Sequence, residues 1–309
     1  MNDQGFEAGD ANLAEDYSSQ RQAAMKRAAT IVEVLRIVAF TIGVSVVAAA
    51  GKGEDTKPGE LVRQAVAREL KAADTPGHYM YQLRKDTPER SETQAMIETR
   101  DWLIGRLTRI NGKPLTSQER KREGDRIARL LDGTNALRKE EASRRKDERR
   151  VKEMVSALPE AFVYEYDRSE TNSDGDRLER LTFAPKVGFY PSTGELAVFS
   201  GMKGTMLVNT TAMRIERIEA TLFRSVSFGW GIVARLDPGG TFVFEQVRIG
   251  DGRWAIKKLA VHFSGKVLLV KSLHIDSTLT TSGFRRMPDD LTLRKGLELL
   301  KEQVEMKRE

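Results

Sequence analysis

"GTMLVNTTAMRIERIEATLF", residues Gly204 to Phe223, decides how the second half of the chain is read. Two apolar and β-branched runs flank the polar Asn209-Thr210-Thr211, the pattern of two extended strands joined by a turn. Working outward, the pattern recurs. "AFVYEYDRSETNSDGDRLERLTFAP" (Ala161–Pro185) reads as a hairpin with Asp174-Gly175 in its loop, and Arg224 to Thr280 reads as further strands. Turns at Asp237–Gly240, Gly250–Gly252 and Ser264–Lys266 fall at the spacing of an antiparallel meander.

These strands are apolar on one side. Phe242 and Phe244 share a face, as do Leu259, Val261 and Phe263, and as do Val267, Leu269, Leu273 and Ile275; Ile218 and Leu222 share one in the opening stretch. A one-sided apolar sheet needs a cover, and the periodicity predicts helices to supply it. Val62, Val66 and Leu70 form a stripe behind Pro58-Gly59, and Leu293, Leu297, Leu300 and Val304 form another at the far end. Between them, residues 116–158 read as helix, opening on a Thr116/Glu119 capping box and breaking near Gly133 and Asn135. Its middle has almost no apolar residue and is expected to face water. "GHYMYQLRKD" reads as a strand with Tyr79, Tyr81 and Leu83 on one side, and further strand character runs to an Asn111-Gly112 turn. The expected class is α+β: an antiparallel sheet covered by helices, as one domain over 51–309 with a long charged helical insertion at 116–158.

The chain has 309 residues, 39% hydrophobic and 31% charged, enough to bury a sizeable core. Its net charge of +6 implies weak attraction to anionic surfaces. Basic residues alternate with acids, as in "RKEEASRRKDERR" (Arg138–Arg150), rather than gathering with aromatics on one face, so no nucleic-acid partner is expected. Cys is absent, which excludes disulfides, thiolate metal sites and Cys nucleophiles. Compartment is read from the N-terminus instead. Lys26-Arg27, an apolar run from Ile37 to Val47, and Ala48-Ala49-Ala50 follow the order of a secretory signal over 25–50. The run is shorter than the ~20 residues of a spanning helix, which favours cleavage after Ala50 and a periplasmic protein; the alternative is an anchor in the inner membrane formed by residues 31–50. Residues 1–24 read either as a disordered polar leader or as sequence ahead of a true start at Met25.

No catalytic constellation emerges. His262 and His274 fall on neighbouring strands with Asp276 nearby, but nothing in the spacing builds a metal site. Glu165 and Asp167 share a strand face beside Arg168 and read as solvated charge; Ser225 and Ser227 lack a nucleophile elbow. Trp230, between Gly229 and Gly231, has two readings: a mobile aromatic at a cavity mouth, or a plug of the sheet's own core.

Two stretches, "VFSGMKGTMLVNTTAMRIERIEATL" and "FGWGIVARLDPGGTFVFEQVRIGDGRWAIKKLAVHFSG", resemble the outer-membrane lipoprotein carrier family and its lipoprotein-sorting relatives, the LolA-like fold. The resemblance is recognisable in sequence over Phe199–Gly265. It implies a sheet curved into an unclosed half-barrel, helices plugging its inner side, and a dry cavity that shields acyl chains without catalysis or cofactor. The implied partners are a lipid or lipidated protein and an inner-membrane export or envelope partner. The residues expected to line the cavity are Ile218, Leu222, Trp230, Phe242, Phe244, Leu259, Val261, Phe263, Leu269, Leu273 and Ile275. The charged insertion is longer than a minimal carrier needs. A second reading of the same fold is a membrane-anchored envelope sensor or protein-interaction module.

Overall fold

The computed structural model describes residues 57–73, 77–100, 102–131, 135–228, 234–267 and 271–305. Helix α1 (Pro58–Ala73) precedes strands β1 (Tyr79–Asp86), β2 (Ser91–Glu98), β3 (Leu103–Ile110) and the two-residue β4 (Lys113–Pro114). Asn111 and Gly112 both have positive φ, 50° and 74°, the conformation a two-residue hairpin turn requires. Helices α2 (Ser117–Leu131) and α3 (Asn135–Ala161) come next. The capping box forms as expected: Thr116 N–H donates to Glu119 Oε2 at 2.8 Å, and Glu119 N–H donates to Thr116 Oγ1 at 3.3 Å. Pro159 does not end α3, which runs two residues past it.

The hairpin β5 (Phe162–Thr171) and β6 (Arg177–Pro185) leads to a 3-10 helix, Glu195–Gly201, that the periodicity did not reveal. The opening stretch is β7 (Met202–Asn209) and β8 (Arg214–Leu222), paired antiparallel. Then follow β9 (Val226–Phe228), β10 (Ala234–Leu236), β11 (Thr241–Arg248), β12 (Trp254–Val267), β13 (Lys271–Arg286) and helix α4 (Leu293–Glu305).

The sheet is antiparallel and open. Its order is β4-β3-β2-β1-β13-β12-β11-β8-β7-β6-β5, so the N-terminal strands join the rest through β1 against the last strand, β13. The protein is therefore α+β, a large curved open sheet with helices against it. Two predicted turns are corrected. Asp237–Gly240 does not reverse the chain; it is an irregularity between β10 and β11, both of which pair with β12. Ser264–Lys266 lies inside β12, paired with β10 on one side and β13 on the other. Glycine there answers to packing, not to turning: a Cβ on Gly265 would sit 2.0 Å from the Arg235 carbonyl oxygen. Gly204 is similar, with the Glu219 carbonyl oxygen 1.9 Å from its missing Cβ, so β7 and β8 approach more closely than side chains allow.

Two hydrophobic clusters form, on opposite faces. Alternate residues of β1–β3 divide between them: Leu83 and Met96 enter the larger cluster, Met80, Ala95, Ile97 and Ile104 the smaller. Helices α1 and α3 cover the larger cluster, whereas α2 and α4 close the smaller through Ile127, Leu130, Leu297 and Leu300. The charged α2 also protects the edge of the sheet. The Leu107 N–H donates to Glu123 Oε1 at 2.9 Å, and the Gly105 carbonyl accepts from Arg126, so edge groups that could pair with another strand are occupied.

Candidate functional site: an apolar cavity beneath helix α3

The larger cluster is not completely filled. Between the sheet and α3 lies a cavity of about 100 Å³. Period-two alternation aims its walls inward: Phe242 and Phe244 from β11, Val261 and Phe263 from β12, Ile218 and Ala220 from β8. Register places them side by side, because Phe242 pairs with Ala220 and Val261, and Phe244 with Ile218 and Leu259. The roof is one stripe of α3, Val151, Met154, Val155 and Leu158, at the three- and four-residue spacing of a helix face.

Of the residues expected to line a cavity, Ile218, Phe242, Phe244, Val261 and Phe263 do so. Leu222, Leu259, Leu273 and Ile275 are buried in the same cluster but contribute core packing instead of cavity wall. Trp230 and Leu269 lie outside the described residues, as do the proposed leader and signal segments. Among the described residues no helix is long and apolar enough to cross a membrane.

One end of the cavity is aromatic, and composition alone did not single it out. Phe162 meets Phe183 edge-on at 4.8 Å between ring centroids and Phe199 at 5.2 Å; Tyr164 joins them, donating its hydroxyl to the Leu158 carbonyl at 2.9 Å. Burial pushes the Tyr164 phenol well above its ordinary range, so it stays a neutral donor that ties β5 to the end of α3. The alternation in "AFVYEY" was the available signal, with Phe162 and Tyr164 inward and Val163 half exposed at 50%.

The opposite end is polar. Glu69 of α1 and Gln246 of β11 reach the cavity from a buried network. Arg214 donates to both carboxylate oxygens of Glu69, at 2.9 and 2.7 Å, and to Gln246 Oε1 at 3.2 Å. The Ile215 N–H donates to Glu69 at 3.0 Å, and Gln246 Nε2 donates to the Ile215 carbonyl at 2.9 Å. The need for these partners follows from register: β8 pairs with β11 only as far as Arg217–Glu245, so side chains replace the missing strand at Ile215. A carboxylate at Glu69 on the buried face that also holds Val62 and Val66 was the sequence signal for such a network.

His262 and Asp276 do meet across β12 and β13, with Nδ1 and Oδ1 2.8 Å apart, on side chains about half exposed. Among the described residues no group of three or more His, Asp or Glu side chains could hold a metal ion. Asp167 pairs with Arg168 at 3.2 Å in the exposed part of β5, as solvated charge does.

Fold and cavity together define an open antiparallel sheet with a helix-roofed apolar chamber. No protein-family model matches the chain, and neither does any curated protein. Among solved structures it is similar to the crystal structure of a DUF1329 family protein from Desulfovibrio piger, with 12% sequence identity and a TM-score of 0.28, over 77% of this chain and 96% of that one. A likeness of that size establishes neither fold nor function.

Proposed function

We propose that the protein binds the acyl chains of a lipid or lipidated protein between its sheet and α3, as an exported, periplasmic carrier that performs no catalysis. The observation that carries this reading is the cavity wall, apolar from β8, β11, β12 and α3 alike except for Glu69 and Gln246 at one end. The resemblance of Phe199–Gly265 to lipoprotein carriers supports it. At about 100 Å³ the cavity is smaller than the ~150 Å³ that admits one benzene, so the closed form takes only a few carbons and a full chain enters by displacing α3.

The test is titration with a fluorescent fatty acid. Wild type shows saturable uptake that unlabelled fatty acid competes away. Ile218→Trp, which fills the cavity from the sheet side, weakens uptake about tenfold, since each excluded methylene is worth about 0.8 kcal/mol and 1.4 kcal/mol is a factor of ten. Absence of saturable uptake by wild type defeats the reading.

One observation favours the second reading, an envelope sensor or protein-interaction module. The loop between β6 and the 3-10 helix holds Val187 and Tyr190 outward, 98% and 87% exposed, while Phe189 between them packs on the core. Large apolar side chains held this far into solvent suit a contact surface. On this reading Val187→Ser with Tyr190→Ser leaves fatty-acid uptake intact and lowers recovery of the protein with envelope membranes. Unchanged recovery counts against it.

A further inference from the structure

Helix α3 roofs a second space. One turn before the cavity its inward stripe turns polar, running Ser143, Asp147 and then Val151, each four residues on, so that a single helix face passes from charged to apolar. Beneath the polar half lies an open cleft of about 450 Å³, bounded by β2, β3, α2 and α3. That is within the ~300–1,000 Å³ range of small-molecule sites, which the apolar cavity is not. The two spaces adjoin: Met96 belongs to the apolar cluster and also lines the cleft. The charged middle of α3 is thus not a fully water-facing surface, as its composition suggested; the Glu141 side chain is 11% exposed, Asp147 16% and Arg144 23%.

The cleft presents both signs of charge in pairs. Arg126 meets Glu123 at 2.9 Å, and Arg144 meets Glu141 at 2.7 Å, one pair on each of the two helices. Glu92 and Asp147 add further carboxylates; Glu92 is paired with Arg90, and Asp147 lies 3.8 Å from Arg150. A head group of single charge meets repulsion from one member of each pair, whereas a group with an ammonium and a phosphate finds an opposite charge for both.

We infer that cavity and cleft are the two halves of one amphiphile site, the cleft receiving a zwitterionic head that carries an amine and a phosphate while the chain lies under Val151–Leu158. This rests on the acyl-binding reading above and adds head-group selectivity to it. Selectivity would then reside in α2 and the N-terminal half of α3, the segment that composition marks as an insertion.

The experiment compares three single-chain lipids with the same acyl group, monoacylglycerol, lysophosphatidylglycerol and lysophosphatidylethanolamine, by displacement of the fluorescent fatty acid. Chain-free phosphoethanolamine is the fourth arm. The zwitterionic lipid binds roughly tenfold more tightly than either other lipid, the size of one charge-assisted contact pair, and the chain-free head competes poorly. Ser143→Trp, at an exposed position with no ion pair to lose, fills the cleft and abolishes the preference; Arg144→Gln reduces it. Equal binding of all three lipids, tighter binding of the anionic one, or a preference that survives Ser143→Trp overturns the inference while leaving acyl binding intact. Tight binding of phosphoethanolamine alone also overturns it, because the chain is then not part of the site. If neither fatty acid nor any lipid binds, the acyl reading itself has failed and the inference falls with it.

Discussion

Glu69→Ala destabilises the protein by about 3–5 kcal/mol, the cost of leaving a buried guanidinium without its partner. Glu69 and Arg214 side chains are 5% and 3% exposed, so water cannot replace what the substitution removes. Three donors lose their acceptor at once: the Arg214 guanidinium, the Ile215 N–H and Gln246 Nε2. The Arg214 guanidinium also stands over the Trp254 ring at 6.0 Å, a contact too weak to compensate. Glu69→Gln costs less, because an amide oxygen still accepts from Ile215. Pairing Glu69→Leu with Arg214→Met removes the stranded charge yet recovers only part of the loss, since the Ile215 N–H remains unsatisfied in the gap where β11 no longer pairs with β8. Urea unfolding of the four variants measures this ordering. If Glu69→Ala falls within 1 kcal/mol of wild type, the network does not hold α1 to the sheet.

Raising the pH from about 4.5 to 8 weakens the wild type relative to Glu98→Gln. Burial beside Tyr79 and Tyr81 raises the Glu98 carboxyl from 4.5 to about 7, against the opposing pull of the Tyr79 N–H at 3.4 Å and of Arg253. The fit is close enough that a Cβ on Gly77 would stand 1.9 Å from the Glu98 carboxylate. Because the folded pKa is the higher one, the native state holds a proton that the unfolded chain has released across this window. Stability from Glu98 is complete below pH 4.5 and is lost as pH rises through about 7. A shift of this size corresponds to about 3 kcal/mol at pH 8. The variant, neutral at every pH, should match wild type near pH 4 and exceed it at pH 8 by up to that amount. Thermal unfolding of both proteins across this range decides; a difference that does not grow with pH rejects burial of the carboxyl as the cause.

Much of the architecture was legible locally. Apolar alternation in β7, β8, β11 and β12, the stripe of α1, the capping box at Thr116 and the Asn111-Gly112 hairpin are properties of a few adjacent residues, and each forms as its spacing predicts. Glycine was less readable. At Gly265 it marks the close passage of β10, a neighbour some thirty positions earlier in the chain, and a local turn rule could not distinguish that from a reversal. The cavity was half legible for the same reason. Phe242, Phe244, Val261 and Phe263 were identified by face, but whether an inward residue fills the core or borders a gap depends on what stands across from it. Leu259 is paired beside Phe244 and nonetheless lies in solid packing.

By itself the sequence determined which segments are helix and strand, which face of each is apolar, and that the sheet would need a cover, because burying apolar surface at a fixed period is a local demand on the chain. Only the tertiary structure decided that β1 closes onto β13, that the helices divide between opposite faces, and that α3 spans an apolar cavity and a charged cleft. Those outcomes depend on partners distant in sequence, and the side chains at each position are compatible with several neighbours until the sheet has chosen one.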